Sequence, residues 1–203
     1  MHQGNGMHQG NSLQDRTTHH ALSRTQRARG RFAILLAMAL AVVLTAALPQ
    51  DAFAAPVTGE VMLVNARTGK CITIAGGVST GNNIDSVQFD CDNDPSRRWQ
   101  LVEKGGSNIY QVRNVQTGKC LTIAGGVSTD NNVTALQFDC DDHPSRTWRI
   151  TDVTGSGIHQ LRNVQTNKCL TIAGGVSTAN NVQGLQFNCD NDLSRRWIIR
   201  LKL

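Results

Sequence analysis

One stretch of this sequence is written three times. Asn65, Asn114 and Asn163 stand 49 residues apart. The same interval separates Cys71, Cys120 and Cys169, then Cys91, Cys140 and Cys189, then Trp99, Trp148 and Trp197. A fixed period of this size marks one supersecondary unit repeated in space. One such unit cannot bury its apolar face alone, so the copies must pack on one another. Whatever site one unit carries is then expected nearly three times over.

The first 54 residues have a different character. Arg24, Arg27, Arg29 and Arg31 precede an apolar run from Ala33 to Leu48, broken only by Thr45. Pro49 and the tripeptide Ala52-Phe53-Ala54 follow. Basic, then apolar, then A-x-A predicts a secretory leader behind a disordered tail, cut after Ala54. The apolar run of 16 residues falls short of the roughly 20 that span a bilayer. Residues 55–203 then form one domain, with repeats at about 57–107, 108–156 and 157–203. The leader holds five Arg and two Asp, so its removal lowers the net charge from +5 to +2. No basic stripe survives to argue for a nucleic-acid partner, and no membrane partner is expected after cleavage.

Six cysteines in an exported chain are expected to be oxidised. The repetition leaves only pairings that treat the units alike. One set lies within units: Cys71–Cys91, Cys120–Cys140 and Cys169–Cys189. The other runs between units, and its last bond must wrap from end to start. Pairing within units is the expectation, each bond closing a loop of about 20 residues and contributing about 3 kcal/mol in the chain-entropy model. No C-x-x-C or Cys/His cluster argues for a metal.

Strand signals are short. Cys71-Ile72-Thr73-Ile74, Cys120-Leu121-Thr122-Ile123 and Cys169-Leu170-Thr171-Ile172 place two aliphatics on one face and Cys and Thr on the other. Val87-Gln88-Phe89-Asp90 and its copies alternate likewise, as do the segments after each Trp and those ending at Val64, Val112 and Leu161. Gly69 and Gly118 stand where the third copy has Asn167, which predicts a left-handed hairpin position. A polar loop, Val-Ser-Thr-x-Asn-Asn, ends at Asn83, Asn132 and Asn181 and reads as turn chemistry. Four strands per unit make twelve. Three units are too few for a propeller, and a linear stack would need polar caps. Closure into a threefold barrel meets both difficulties.

Lys-Cys-Leu-x-Ile, then Ser-Thr, then a Cys followed eight residues later by Trp, three times over, resembles the ricin B-type β-trefoil lectins. The resemblance covers residues 55–203. It implies an all-β trefoil of six barrel strands capped by three hairpins, with the Trp residues in or near the core and one disulfide per repeat. It also implies a shallow sugar pocket on each unit. In the family an Asp two residues after the first Cys grips sugar hydroxyls, an aromatic ring before the second Cys stacks on the sugar, and Asn and Gln of a Q-x-W motif complete the set. Here the Asp position holds Thr73, Thr122 and Thr171, the Asn position Ser96, Ser145 and Ser194, and the Gln position Arg97, Arg146 and Arg195, giving R-x-W. Ungapped counting puts Phe89, Phe138 and Phe187 at the stacking position. Period-2 alternation instead groups Phe89 with Val87, and Phe138 with Leu136, on a face expected to be core.

Acidic residues crowd between the second Cys and the Trp. Asp92, Asp141 and Asp190 are the acidic candidates beside the Arg of each unit. They read as a carboxylate–guanidinium lattice that fixes the loop, or as part of a grip on a polyol or acidic sugar. Asp90-x-Asp92-x-Asp94 echoes the start of a calcium loop but has Pro95 and Leu101 where Gly and an acid are needed. His143 and His159 have no copies in the other units, and no nucleophile or metalloprotease motif occurs. The reading is a secreted, monomeric, non-catalytic module that binds carbohydrate or polysaccharide at up to three weak equivalent sites, with no cofactor. The alternative is a structural or protein-binding, inhibitor-like trefoil without functional sugar sites.

Overall fold

Alternation along short strands decides which way each side chain points, and strand pairing decides what it meets. The computed structural model describes residues 59–201 apart from 154 and 156. The tail, the leader and its cleavage point lie outside the described residues. Among those described, twelve strands follow one another: β1 (Glu60–Asn65), β2 (Cys71–Ile74), β3 (Ile84–Phe89), β4 (Trp99–Glu103), β5 (Ile109–Asn114), β6 (Cys120–Ile123), β7 (Ala135–Phe138), β8 (Thr147–Asp152), β9 (Ile158–Asn163), β10 (Cys169–Ile172), β11 (Val182–Phe187) and β12 (Trp197–Leu201).

All the pairings are antiparallel. β1 pairs with β4, β4 with β5, β5 with β8, β8 with β9, β9 with β12, and β12 returns to β1. That closed ring of six is a barrel, which leaves no free edge among its strands. The other six strands are three hairpins, β2–β3, β6–β7 and β10–β11. They meet each other through β3–β7, β3–β11 and a bridge between Thr134 and Leu185. The expected β-trefoil is therefore the fold. Three disulfides, Cys71–Cys91, Cys120–Cys140 and Cys169–Cys189, lie one in each repeat as expected.

The core joins barrel to cap. Ile72, Ile74, Leu121, Ile123, Leu170 and Ile172 of the hairpins pack with Leu63, Val112, Leu161 and the three Trp rings, all buried. A buried indole N–H needs an acceptor. Trp99 donates to the Ile72 carbonyl at 3.0 Å, Trp148 to Leu121 at 2.8 Å and Trp197 to Leu170 at 3.1 Å. Each Trp thus ties a barrel strand to its own hairpin. The left-handed turn position holds as read: Gly69 and Gly118 both have φ of 70°, and Asn167 has 60°.

One strand faces the other way from the alternation reading. Val87 pairs with Thr73 and Phe89 with Cys71, and directly opposed residues share a face. The face toward Ile72 and Ile74 therefore carries Ser86 and Gln88, both fully buried. Those polar groups are satisfied. Ser86 donates to the Ala135 carbonyl at 2.8 Å, and Gln88 Nε2 donates to the Ser177 and Ala179 carbonyls, each at 2.7 Å. A pattern built on hydrophobicity assigns the wrong side to a strand whose inward groups are amides that pin a neighbouring repeat.

These pins run in one direction around the ring. Gln137 holds the Ser79 and Gly81 carbonyls of the preceding repeat, and Gln186 holds those of Ser128 and Asp130. Asn114 donates to the Ser96 carbonyl, Asn163 to Ser145 and Asn65 to Ser194, each at 2.8 Å. The polar Val-Ser-Thr-x-Asn-Asn loop of each unit is thereby docked on the next unit.

Candidate functional site

Docking the loops shapes a concavity on each repeat. In the first repeat it measures about 260 Å³ and is walled by Thr73, Gly76, Gly77, Val87, Phe89, Asp94 and Arg97, with Asn181 from the third repeat. In the second it is about 200 Å³, with Thr122, Leu136, Phe138 and Arg146, and Asn83 from the first. In the third it is about 310 Å³, with Thr171, Phe187, Asp192, Ser194 and Arg195, and Asn132 from the second. The face grouped with the core by alternation is the face that lines these recesses.

Each Phe ring is half-buried. The guanidinium of Arg97 lies 4.4 Å from the Phe89 ring centre, Arg146 4.4 Å from Phe138, and Arg195 4.3 Å from Phe187. Stacking on the aromatic face is therefore used internally, by a cation. The Arg side chains are 12–14% exposed, enough to present one edge to the recess.

Behind each Arg stands its acidic partner. Arg97 Nε lies 3.2 Å from Asp92, Arg146 Nε 3.1 Å from Asp141 and Arg195 Nε 3.5 Å from Asp190. Asp92, Asp141 and Asp190 are not among the lining residues, so they act on the recess through the Arg. Asp94 and Asp192, one turn on, do line it. They sit 3.2 and 3.5 Å from the Nη1 of their Arg. A hydrogen bond from Ser96 to Asp94, and from Ser194 to Asp192, holds each carboxyl below the ordinary carboxylate value, with the adjacent Arg adding to the effect. Both are anions at neutral pH.

Thr73 and Ser96 come together, though toward each other. The Thr73 hydroxyl donates to the Ser96 carbonyl at 2.8 Å, and both residues are buried. Thr122 with Ser145 and Thr171 with Ser194 repeat the contact at 2.9 and 3.2 Å. A hydroxyl is shorter than a carboxylate and its donor is already spent, so each Thr lines its recess without a free donor, joined by its Ser only in the third. Ser96 also receives Arg97 Nη1 at 2.7 Å on its hydroxyl. Gly77 passes close over it, where an added Cβ would lie 3.1 Å from the Ser96 Oγ, so the rim can bend this near only without a side chain.

The sequence reading missed part of the wall. Asn83, Asn132 and Asn181 have φ of 62°, 65° and 64°, and their repeated position signalled a turn. That they border the next repeat's recess follows only from ring closure. Asp94 and Asp192 were hidden among many acids. The valines after each Gly-Gly are also on the surface: Val78 is 73%, Val127 63% and Val176 70% exposed, and Val78 and Val176 edge their recesses. Outside the recess, Lys70 and Asn180 both reach Asp90, and Lys119 and Asn82 both reach Asp139. The Asn180 hydrogen bond is the main cause that keeps Asp90 below the ordinary value, and the Lys119 bond is the main cause at Asp139. Each recess therefore brings together a guanidinium and a neighbouring repeat's Asn, joined in the first and third by an Asp carboxylate and an exposed valine. Among the described residues, no cluster of three His, Cys, Asp or Glu side chains is arranged to hold a metal.

Comparison with known proteins agrees with this architecture. The family model described as ricin-type beta-trefoil lectin domain-like matches residues 52–138, 98–187 and 144–202. No curated protein sequence matches the chain. Among solved structures, the chain is similar to a designed three-fold symmetric protein, ThreeFoil, with a TM-score of 0.66 and 22% identity, over 71% of this chain and 99% of that one. It is also similar to an exo-beta-1,3-galactanase from Clostridium thermocellum, with a TM-score of 0.67 and 24% identity, over 72% of this chain but only 31% of the other. A third likeness is to the Macrolepiota procera ricin B-like lectin solved with lactose, with a TM-score of 0.56 and 16% identity, over 70% and 95% of the two chains. At these identities the structural likenesses speak for the fold.

Proposed function

We propose, from the premise that this chain belongs to the ricin-type beta-trefoil lectin domain-like family, that it is a secreted carbohydrate-binding module without catalytic activity. One observation carries the reading: the same recess recurs on all three repeats, each with an Arg–Phe stack, a pair of glycines and an Asn from a neighbouring repeat. Sugar hydroxyls need donors and acceptors close together, and a sugar's C–H face needs an apolar ledge; Val78 and Val176 supply one at the rim. Each recess is small and open, so single-site affinity is weak. Three such sites on one rigid body gain avidity on a repeating polysaccharide.

Export is part of the same proposal. It is supported by the leader-like order of residues 24–54 and by three disulfides, which persist in oxidising compartments. The expected form is a monomer beginning at Ala55, which the intact mass of the exported protein checks.

Glycan-array screening and polysaccharide pull-down test the binding. The expected outcome is retention on a repeating polysaccharide, weakened stepwise as Arg97, Arg146 and Arg195 are replaced by Ala one after another. Retention on none, with the Arg variants altering only the melting temperature, would instead favour a structural or protein-binding trefoil.

A further inference from the structure

The three recesses share a shape but differ in charge. In the first, Arg97 Nη1 faces the Asp94 carboxylate at 3.2 Å, and in the third Arg195 Nη1 faces Asp192 at 3.5 Å. In both repeats that carboxylate is part of the wall. The second repeat has His143 at this position. Its ring performs the same local task, accepting from the Ser145 N–H at 3.2 Å as Asp94 accepts from Ser96 at 2.8 Å. It does so without the negative charge of a carboxylate.

The second loop has not lost an acid; it has moved one. Asp142 stands where the other repeats have Asn93 and Asn191. One residue further back, it points to a different surface, where it pairs with Lys104 at 2.9 Å and lines a separate hollow. The walls of the first and third recesses thus each hold one Arg and one carboxylate. The second holds Arg146 alone among charged lining residues. Asp141 still pairs with Arg146 Nε at 3.1 Å, but from outside the wall. Arg146 Nη1 donates to the Ser145 hydroxyl at 2.7 Å.

We infer that the second recess is selective for an acidic saccharide, a uronate or sulfated sugar, whereas the first and third take neutral ones. The inference rests on the carbohydrate reading above. A wall carboxylate accepts from a sugar hydroxyl but repels a ligand carboxylate or sulfate. A wall with a guanidinium and no facing carboxylate does the reverse, and guanidinium geometry suits both anions.

Matched sugar pairs separate the possibilities: galactose with galacturonate, glucose with glucuronate, and mannose with mannuronate. Two-dimensional NMR follows the amides of Gly77, Gly126 and Gly175, one reporter at each recess. The expected result is that a uronate shifts Gly126 at lower concentration than its neutral partner does, while Gly77 and Gly175 favour the neutral sugar. His143→Asp should remove the preference at Gly126, and Asp94→His should create it at Gly77, each by roughly two- to fivefold, the range for a partly exposed charge pair. Each replacement installs a residue that an equivalent position already carries, and unchanged shifts at the other two glycines report an intact fold. Neutral sugars binding at all three glycines without a uronate preference at Gly126 would overturn this inference alone. No response to any sugar at any glycine would overturn the carbohydrate reading with it.

Discussion

Thr73, Thr122 and Thr171 stand where the resemblance would place an acidic residue that grips sugar hydroxyls, and their surroundings say what they do instead. Each hydroxyl is buried and donates to a serine carbonyl. In the first repeat that carbonyl also receives the Asn114 amide, so it stays satisfied if the hydroxyl is lost. Thr73→Val should cost about 1 kcal/mol, within the net range for one hydrogen bond, and leave polysaccharide affinity unchanged. Urea unfolding beside a binding titration checks both halves; lost affinity at full stability would make Thr73 a ligand. The ionisable residues give a second expectation. Asp90, Asp94, Asp139 and Asp192 all have folded values below the ordinary 3.8. A depressed acid stabilises the fold above its unfolded value and loses that contribution as pH falls through the folded one. His159 is lowered from 6.5 chiefly by burial, against an opposing pull from Asp152. Below about 6.5 the unfolded chain therefore takes up this proton first, and stability falls there too. The melting temperature should hold above pH 7, decline as pH drops below 6.5, and decline again below 4. His159→Asn should erase the first decline and spare the second.

At the scale of elements, the strands were legible because apolar alternation survives in segments as short as Cys71–Ile74. The loops were half legible. Gly69, Gly118 and Asn167 announced a left-handed turn, since those two residue types share that freedom. The face of Val87 and Phe89 was not legible. Its opposite face carries Ser86 and Gln88, and nothing in a single repeat shows that these polar groups meet carbonyls of another. The candidate site follows from that. Its Thr, Phe and Arg could be named from the sequence, but its Asn wall belongs to a loop held by a neighbour's Gln. Gln137→Leu tests this link. The side chain is fully buried, donates to Ser79 and Gly81, and accepts from the Thr117 hydroxyl at 2.8 Å. Loss of these bonds should cost about 2 kcal/mol, because a buried donor or acceptor left without its partner costs 1–3. Hydrogen exchange should accelerate in residues 78–83 but not in 127–132 or 176–181. Uniform acceleration in all three loops would mean that the ring, rather than this one pin, holds them.

The whole molecule depends on three similar but unequal copies closing on each other. Repetition made closure readable, because the first and last units resemble the middle one and neither reads as a polar cap. It could not show how the copies differ where they meet. Ser86, Ala135 and Gly184 occupy the same place in the three hairpins, and all are buried. The serine donates to the Ala135 carbonyl. A Cβ on Gly184 would lie 2.3 Å from the Ser86 Oγ and 3.0 Å from the Ile72 Cδ1. One hydroxyl fits at this junction only because the third copy has no side chain. Gly184→Ala alone should destabilise by about 1–3 kcal/mol, the usual cost of overpacking. Ser86→Ala alone should cost about 1 kcal/mol for its hydrogen bond. Together they place three alanines around the junction and remove the short contact. The double variant should then be more stable than the sum of the single effects predicts, by about 1 kcal/mol or more, as expected for residues in contact. Simple additivity in a urea-melt cycle would mean that the two hairpins do not share this space, and that closure relies on the β1–β12 pairing and the inter-repeat amides alone.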